Sequence, residues 1–272
     1  MERTDSHEII LKKEEATALS LELKKALIER PITTKDKQKI QFLINGLGDK
    51  NGLIRRSFAE SLGLIGEHAL PGLIQALRNS SNVTIRRAAA KTLKLVGDPS
   101  ALPHLHEALM TDKDPVVQGS AAGAMAIFGK TSIKYLLKVL NNPISSEMQC
   151  GLASWALEFA GKGCTEILKE AAKSDNFKVR AASISALGSQ SEYLEDNETN
   201  QILLNSLNDK SPEARAEATR LITKINQPEL IRSLLIEKLN DSDSLVRKSA
   251  VLSLISLNHH DTLFILKEIA LI

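Results

Sequence analysis

Aromatic residues are scarce in this chain: one tryptophan, two tyrosines and six phenylalanines make up 3% of its 272 residues. A core of that composition has to be built from Leu, Ile, Val and Ala, which suits helices packed closely on helices better than a β-sandwich. Cysteine is scarcer still. Cys150 and Cys164 can form neither a disulfide framework nor a zinc site of familiar spacing, so buried free thiols are expected. Charge of one sign is also lacking: 35 Lys and Arg against 33 Asp and Glu leave a net +2. With no Lys/Arg run either, a nucleic-acid partner has no electrostatic support. No apolar run is long enough to span a bilayer, and MERTDSHEIILKKEE has no signal-peptide core, so no membrane role and a cytoplasmic location are expected. Signatures of phosphate-binding loops, zinc proteases, serine hydrolases and kinases are missing as well.

What is present is repetition. GLIRRSFAESLGLIG, VTIRRAAAKTLKLVG, PVVQGSAAGAMAIFG, EMQCGLASWALEFAG, FKVRAASISALGS, PEARAEATRLITKI and SLVRKSAVLSLISL align without gaps. Their anchor positions are Arg55, Arg86, Gln118, Cys150, Arg180, Arg215 and Arg247, in steps of 31, 32, 32, 30, 35 and 32 residues. From each anchor, apolar residues recur at offsets of three, four, seven and ten, as in Phe58, Ala59, Leu62 and Ile65, which marks a buried helical stripe. Shorter amphipathic segments such as ALPGLIQAL and SIKYLLKVL lie between them. Each unit is therefore a helical hairpin. Connectors such as RNSSN, TDKDP and NDKSP supply capping residues and forbid the helices from merging. The sequence predicts an all-α stack of about seven short hairpins spanning residues 38–272; they resemble HEAT repeats of the short kind, and the resemblance implies a right-handed α-solenoid. Residues 1–37 read as an N-terminal extension whose segment ATALSLELKKALIER forms a capping helix, and LFILKEIALI reads as an apolar last helix that invites a partner.

With the buried stripe fixed, offsets of one, five and eight from the anchor share the opposite, groove-facing side of each second helix. The second unit places Arg87, Lys91 and Lys94 there, the third Gly119, Gly123 and Ala126, and the fourth Gly151, Trp155 and Glu158. The groove thus reads as cationic at one side and hollow in the middle. In the two central units the anchor arginine is replaced by Gln118 and Cys150, so an intra-solenoid charge ladder is expected to break there and nowhere else. Interior glycines each cost a helix about 0.5–1 kcal/mol relative to alanine, so Gly119, Gly123 and Gly151 call for compensation. One source is close approach of two backbones. The other is a trough for a flat conjugated molecule bearing carboxylates, with Trp155 as stacking surface and Arg87, Lys91 and Lys94 as carboxylate partners. Trp155 could equally fill a seam between repeats. His104 and His106 sit two apart, on different sides of a short helix, and His259 and His260 lie in a polar turn, so no metal site is expected. Cys150 has no His or carboxylate placed beside it by sequence and reads as a small thiol substituting for arginine.

The run NVTIRRAAAKTLKLVGDPSALPHLHEALMTDKDPVVQGSAAGAMAIFGK, with GLASWALEFAGKG and VRAASISALGSQ, resembles the HEAT-repeat phycobiliprotein lyases of cyanobacteria, particularly the phycoerythrin-associated ones. The likeness spans about residues 45–257, and the segment from Asp114 to Met125 is its most specific part, since a generic HEAT repeat would carry Arg at Gln118 and bulk at Gly119 and Gly123. The resemblance implies a factor that attaches an open-chain tetrapyrrole, a phycoerythrobilin-like bilin, by thioether to a cysteine of a phycobiliprotein subunit, with or without isomerisation. The nucleophile would then be the acceptor cysteine, and this chain would position the bilin and supply one proton-transfer group, for which Glu158 is placed. Arg87 and Lys91, with Lys94, would hold propionates; Gln118, Gly119, Gly123, Gly151 and Trp155 would line the bilin site. Bilin enters as substrate, with no tightly bound cofactor, and the expected partners are a phycoerythrin subunit and a second HEAT-repeat subunit. The alternative is a non-catalytic HEAT adaptor for phycobilisome assembly or degradation.

Overall fold

The protein is described by a computed structural model covering residues 36–190 and 196–257, together with Ala18, Lys25 and Glu29. Of the expected N-terminal capping helix only Ala18, Lys25 and Glu29 are described, each helical; the apolar last helix LFILKEIALI and the His259–His260 turn lie outside the described residues. The chain forms two compact units divided between Phe128 and Gly129. The first holds α1 (Lys37–Gly46), α2 (Gly52–Ile65), α3 (Leu70–Asn79), α4 (Val83–Val96), α5 (Leu102–Thr111) and α6 (Pro115–Ile127). The second holds α7 (Lys130–Asn141), α8 (Glu147–Ala160), α9 (Thr165–Ala171), α10 (Phe177–Gly188), α11 (Asn197–Ser206), α12 (Pro212–Leu221), α13 (Pro228–Lys238) and α14 (Ser244–Ser256). No strand occurs among the described residues. These helices pair into the seven hairpins that the repeat predicts.

Each second helix begins with its own signal. Four residues before every anchor stands Asn51, Asn82, Asp114, Ser146, Asn176, Ser211 or Asp243, and each side chain accepts a backbone N–H of the helix it opens. The first helices α3, α5, α7, α9 and α13 start without a side-chain cap. They depend on packing against the second helices for their register. Second helices leave by a glycine eleven residues after the anchor, Gly66, Gly97 and Gly129, each at positive φ where side chains other than glycine are strained. The fourth unit departs from this. Gly161 stays right-handed and Gly163 takes the positive φ instead, so the turn after α8 is longer.

Within each unit, second helices stack on second helices: α2 on α4 and α4 on α6 in the first, and α8 on α10, α10 on α12 and α12 on α14 in the second. The interior is aliphatic, with Leu62, Leu93, Ala121 and Met125 fully buried in the first unit and Leu157, Ala186 and Ala218 in the second. The anchor arginines tie this stack twice over. The Nη1 of Arg180 donates to the carbonyls of Ser174 and Asp175 in the turn that opens its own helix, while Nε and Nη2 reach both carboxylate oxygens of Asp209 in the next unit at 2.7 and 2.6 Å. Asp209 in turn offers its carbonyl to Arg215, which continues to Asp241 at 2.9 and 2.8 Å. Arg86 and Asp112 repeat the arrangement in the first unit. Hydrogen bonds from Arg180 hold the Asp209 carboxyl below its usual range, and those from Arg215 do the same for Asp241.

The ladder corrects one expectation. It lacks a carboxylate not only where Gln118 and Cys150 replace arginine but also at Arg55, because Ser80 stands where the next acid would be and Arg55 bonds only the carbonyls of Asp49 and Lys50. Gln118 keeps half of the arginine's work through its Nε2, which donates to the carbonyl of Asp112 at 2.7 Å. Cys150 keeps none of it. There the turn is secured by a reciprocal capping box, Ser146 accepting from the Gln149 backbone and Gln149 from that of Ser146.

Candidate functional site

The second unit contains a hollow of about 650 Å³ across the exposed faces of α8, α10, α12 and α14. That is within the range of about 300–1,000 Å³ typical of small-molecule sites. Gly151, Trp155 and Glu158 line it from α8, as the offset rule predicts, joined by Ala181 and Ser185 from α10 and Ala216 from α12 at the same offsets. Trp155 is not filler of a packed seam: 47% of its surface is exposed, and its ring meets Phe159 edge-on at 5.2 Å, which fixes the orientation of an open aromatic wall. Gly151 gives the sharper result. A Cβ built at this residue meets nothing within 4 Å, whereas one at Gly188, the groove-side glycine at offset eight of the fifth unit, collides with Leu221. Close helix packing therefore explains Gly188 and leaves Gly151 unexplained except by the open space it preserves.

Glu158 accepts a hydrogen bond from the Ser185 hydroxyl at 2.7 Å, and Ser185 accepts one from Arg220 Nη2 at 3.2 Å. Arg220 also pairs with Glu217 at 2.7 Å. The carboxylate of Glu158 is thus oriented by a side chain on α10 that is itself held by one on α12. Cys150 lies buried in the wall with Lys178 Nζ at 3.6 Å from its sulfur. Lys178 is the single cation among the described lining residues, against Glu147, Glu158, Glu213 and Glu217. The hollow is therefore acidic rather than rimmed by cations.

The expected cations gather in the first unit. Arg87 and Lys91 line a separate hollow of about 390 Å³ with Arg55 and Arg56, while Lys94, one turn further along α4, lies outside that lining. Burial, and then the charges of Arg87 and Lys94, pull the Lys91 ammonium below its usual range. Gln118, Gly119 and Gly123 lie half-buried on α6 in this unit. Lys178, Glu213 and Leu245, which the offset rule passed over, all stand two residues before their anchors. Offset minus two is seven before offset five, so continuing the stripe back by two turns finds them.

A repeat-built stack of helical hairpins with an open, aromatic-walled hollow across its second helices defines a binding protein of the α-solenoid class. The pattern of HEAT repeats matches residues 70–149 and 200–271, and that of the PBS lyase HEAT-like repeat matches residues 54–79. The bilin biosynthesis protein MpeU of Synechococcus sp. strain WH8020 is 42% identical over 247 residues, covering 91% of this chain and 83% of MpeU. The uncharacterized phycocyanin operon protein Z of Pseudanabaena tenuis strain PCC 7409 is 30% identical over 112 residues, 39% of this chain and 55% of that one. The chain belongs to the HEAT-repeat family and, within it, to the family of the bilin biosynthesis protein MpeU. Among solved structures, YibA of E. coli aligns with 96% of this chain and 92% of its own at 19% identity and a TM-score of 0.45. The CpcE–CpcF complex of phycocyanin lyase from Nostoc sp. PCC7120 aligns at 22% identity and a TM-score of 0.33, over 80% and 99%. Neither score bears on function. No helix among the described residues is long and apolar enough to cross a membrane.

Proposed function

We propose that this protein is a bilin lyase that takes an open-chain tetrapyrrole into the Trp155 hollow and presents it to a cysteine of a phycobiliprotein subunit, the bilin being phycoerythrobilin-like and the subunit that of a phycoerythrin. The observation that carries the proposal is Gly151. It keeps open, at a cost to its own helix, the space beside the exposed face of Trp155 in a chain 42% identical to a bilin biosynthesis protein.

The hollow's acidity refines how such a substrate would sit. A bilin carries pyrrole N–H donors along its inner edge and two propionates outside. The carboxylates of Glu158 and Glu217 suit the ring nitrogens, and would hold them in the protonated, cationic form, while Lys178 is the cation placed for a propionate. Trp155 and Phe159 suit the conjugated faces. In the attachment step the acceptor thiol adds to the ethylidene carbon: a carbon–sulfur bond forms, the thiol loses its proton, and the neighbouring ring carbon gains one. Glu158, fixed by Ser185, is the group in the hollow placed to relay that proton. No nucleophile of this chain is needed. Arg87, Lys91 and Lys94, with Gln118, Gly119 and Gly123, belong to the first unit and are left out of this reading. A second HEAT-repeat subunit and a cytoplasmic site of action complete the proposal, with or without isomerisation of the bilin.

The test is co-expression with a phycoerythrin subunit and a bilin source. Covalent chromophore in excess of the lyase-free control supports the reading. Addition no better than that control refutes it. If the purified chain captures the subunit yet leaves the absorbance of free bilin unchanged, the protein is an adaptor.

A further inference from the structure

Independently of the bilin reading, the first unit carries a face with no counterpart in the Trp155 hollow. Arg87, Lys91 and Lys94 follow one another along α4 with no acidic partner among the described residues, whereas the neighbouring Arg56 pairs with Glu60, Arg78 with Glu107 and Arg86 with Asp112. Burial first, and then the charges of Arg87 and Lys94, lower the Lys91 ammonium. No carboxylate lines the recess they share with α2. Next to this cationic zone, nine residues after each anchor, the same three second helices end in exposed aliphatic residues: Leu64 at 58%, Leu95 at 48% and Ile127 at 66%. The row crosses α2, α4 and α6, which pack on one another, and a Cβ at Gly63 would come within 3.0 Å of that of Leu95.

We propose that this face is a docking site for an amphipathic helix of a protein partner, acidic along one flank and aliphatic along the next, lying across α2, α4 and α6. The dimensions match. Packed helices lie about 8–10 Å apart, so the apolar row repeats at about the rise of seven helical residues, roughly 10.5 Å. From Arg87 to Leu95 along α4 is about 12 Å, the width of a helix with its side chains. A small anion would answer the cations and leave the leucines unexplained. A nucleic acid would have no use for the aliphatic row, and the recess between α2 and α4 suits a rounded partner better than a flat bilayer.

The probe is a fluorescent peptide of about 21 residues, aliphatic at i, i+7 and i+14 with glutamates on one adjoining flank, added to the full chain and followed by anisotropy. Binding is expected to weaken at least about tenfold in Arg87→Glu/Lys91→Glu and in Leu95→Ser/Ile127→Ser, and to fall as salt rises. It should be unchanged in Lys138→Glu, a control on α7, and all variants should keep the wild-type circular dichroism and melting temperature. Equal binding of a peptide with lysines in place of the glutamates, affinity indifferent to both double variants, or no binding of the acidic peptide would overturn the proposal. Sedimentation of the protein with phosphatidylserine vesicles, abolished by the same variants while the peptide fails to bind, would assign the face to a lipid surface instead.

Discussion

Replacing Gly151 separates the stability of α8 from the use of its hollow. A helix-interior glycine costs about 0.5–1 kcal/mol relative to alanine, and a Cβ at this residue touches nothing, so Gly151→Ala should stabilise the protein by that amount. For a protein of this size the gain corresponds to a rise of about 1–4 °C in melting temperature. Gly151→Leu should melt no lower than the wild type, because leucine is a good helix former and its side chain enters open space. That side chain occupies room the bilin would need. Forcing a ligand against it costs about 1–3 kcal/mol by analogy with overpacking, or about thirtyfold in affinity at the middle of that range. Differential scanning fluorimetry reads the first quantity, and titration of free bilin by absorbance reads the second. A drop in melting temperature for Gly151→Ala would show that the residue packs against something after all. Unchanged bilin affinity in a well-folded Gly151→Leu would move the site out of the hollow. Gly188→Ala is the contrast: its Cβ collides with Leu221, so it should lose about 1–3 kcal/mol.

Trp155→Ala should weaken bilin binding about fivefold, since one stacking contact is worth about 1 kcal/mol, and should leave the melting temperature unchanged because the ring is exposed. Glu158→Gln keeps a partner for the Ser185 hydroxyl while removing the acid, so attachment should slow in kcat with KM little altered, as single-turnover assays would read. Arg180→Ala leaves the Asp209 carboxylate enclosed without its guanidinium and should cost about 3 kcal/mol in urea unfolding; Arg180→Ala/Asp209→Ala should cost less than Arg180→Ala alone. Asp196 is held at about 2 by hydrogen bonds from Lys169 and then Thr199, against the opposing pull of burial. Its folded value lies below the unfolded one of about 3.9, so its stabilisation is complete above about pH 4 and is lost as pH falls toward 2. Hydrogen exchange in α11, which Asp196 caps, should therefore accelerate over that interval; exchange insensitive to acid would place the helix's support elsewhere.

The hairpins were legible because every second helix carries a local signal, a capping side chain at a fixed distance, an anchor position and a buried stripe, to which the first three add a glycine exit. The groove positions followed from helical geometry, and Gly151, Trp155 and Glu158 do share one hollow. Three features were beyond that reading, each for a physical reason. Gly151 and Gly188 both stand at groove-facing offsets, one and eight, and only the position of Leu221, on another helix, tells a packing glycine from a free one. Lys178 reaches Cys150 from a unit away, and such a pair has no signature in spacing. Half of the hollow's carboxylates, Glu213 and Glu217, come from α12, two units from Trp155, so no single repeat discloses its full acidity.

Asp209 gives its carboxylate to the arginine of the preceding unit and its carbonyl to that of its own. The boundary that the alignment draws between those units is therefore not a boundary in the bonding. An engineered deletion of the sixth unit that starts and ends at equivalent positions would hand Arg180 the Asp241 carboxylate in the old geometry, whereas one a few residues out of phase would leave a guanidinium facing the wrong turn. Shortening or lengthening this scaffold is thus a problem of phase before it is one of size, and whole repeats are the coins in which its length can change.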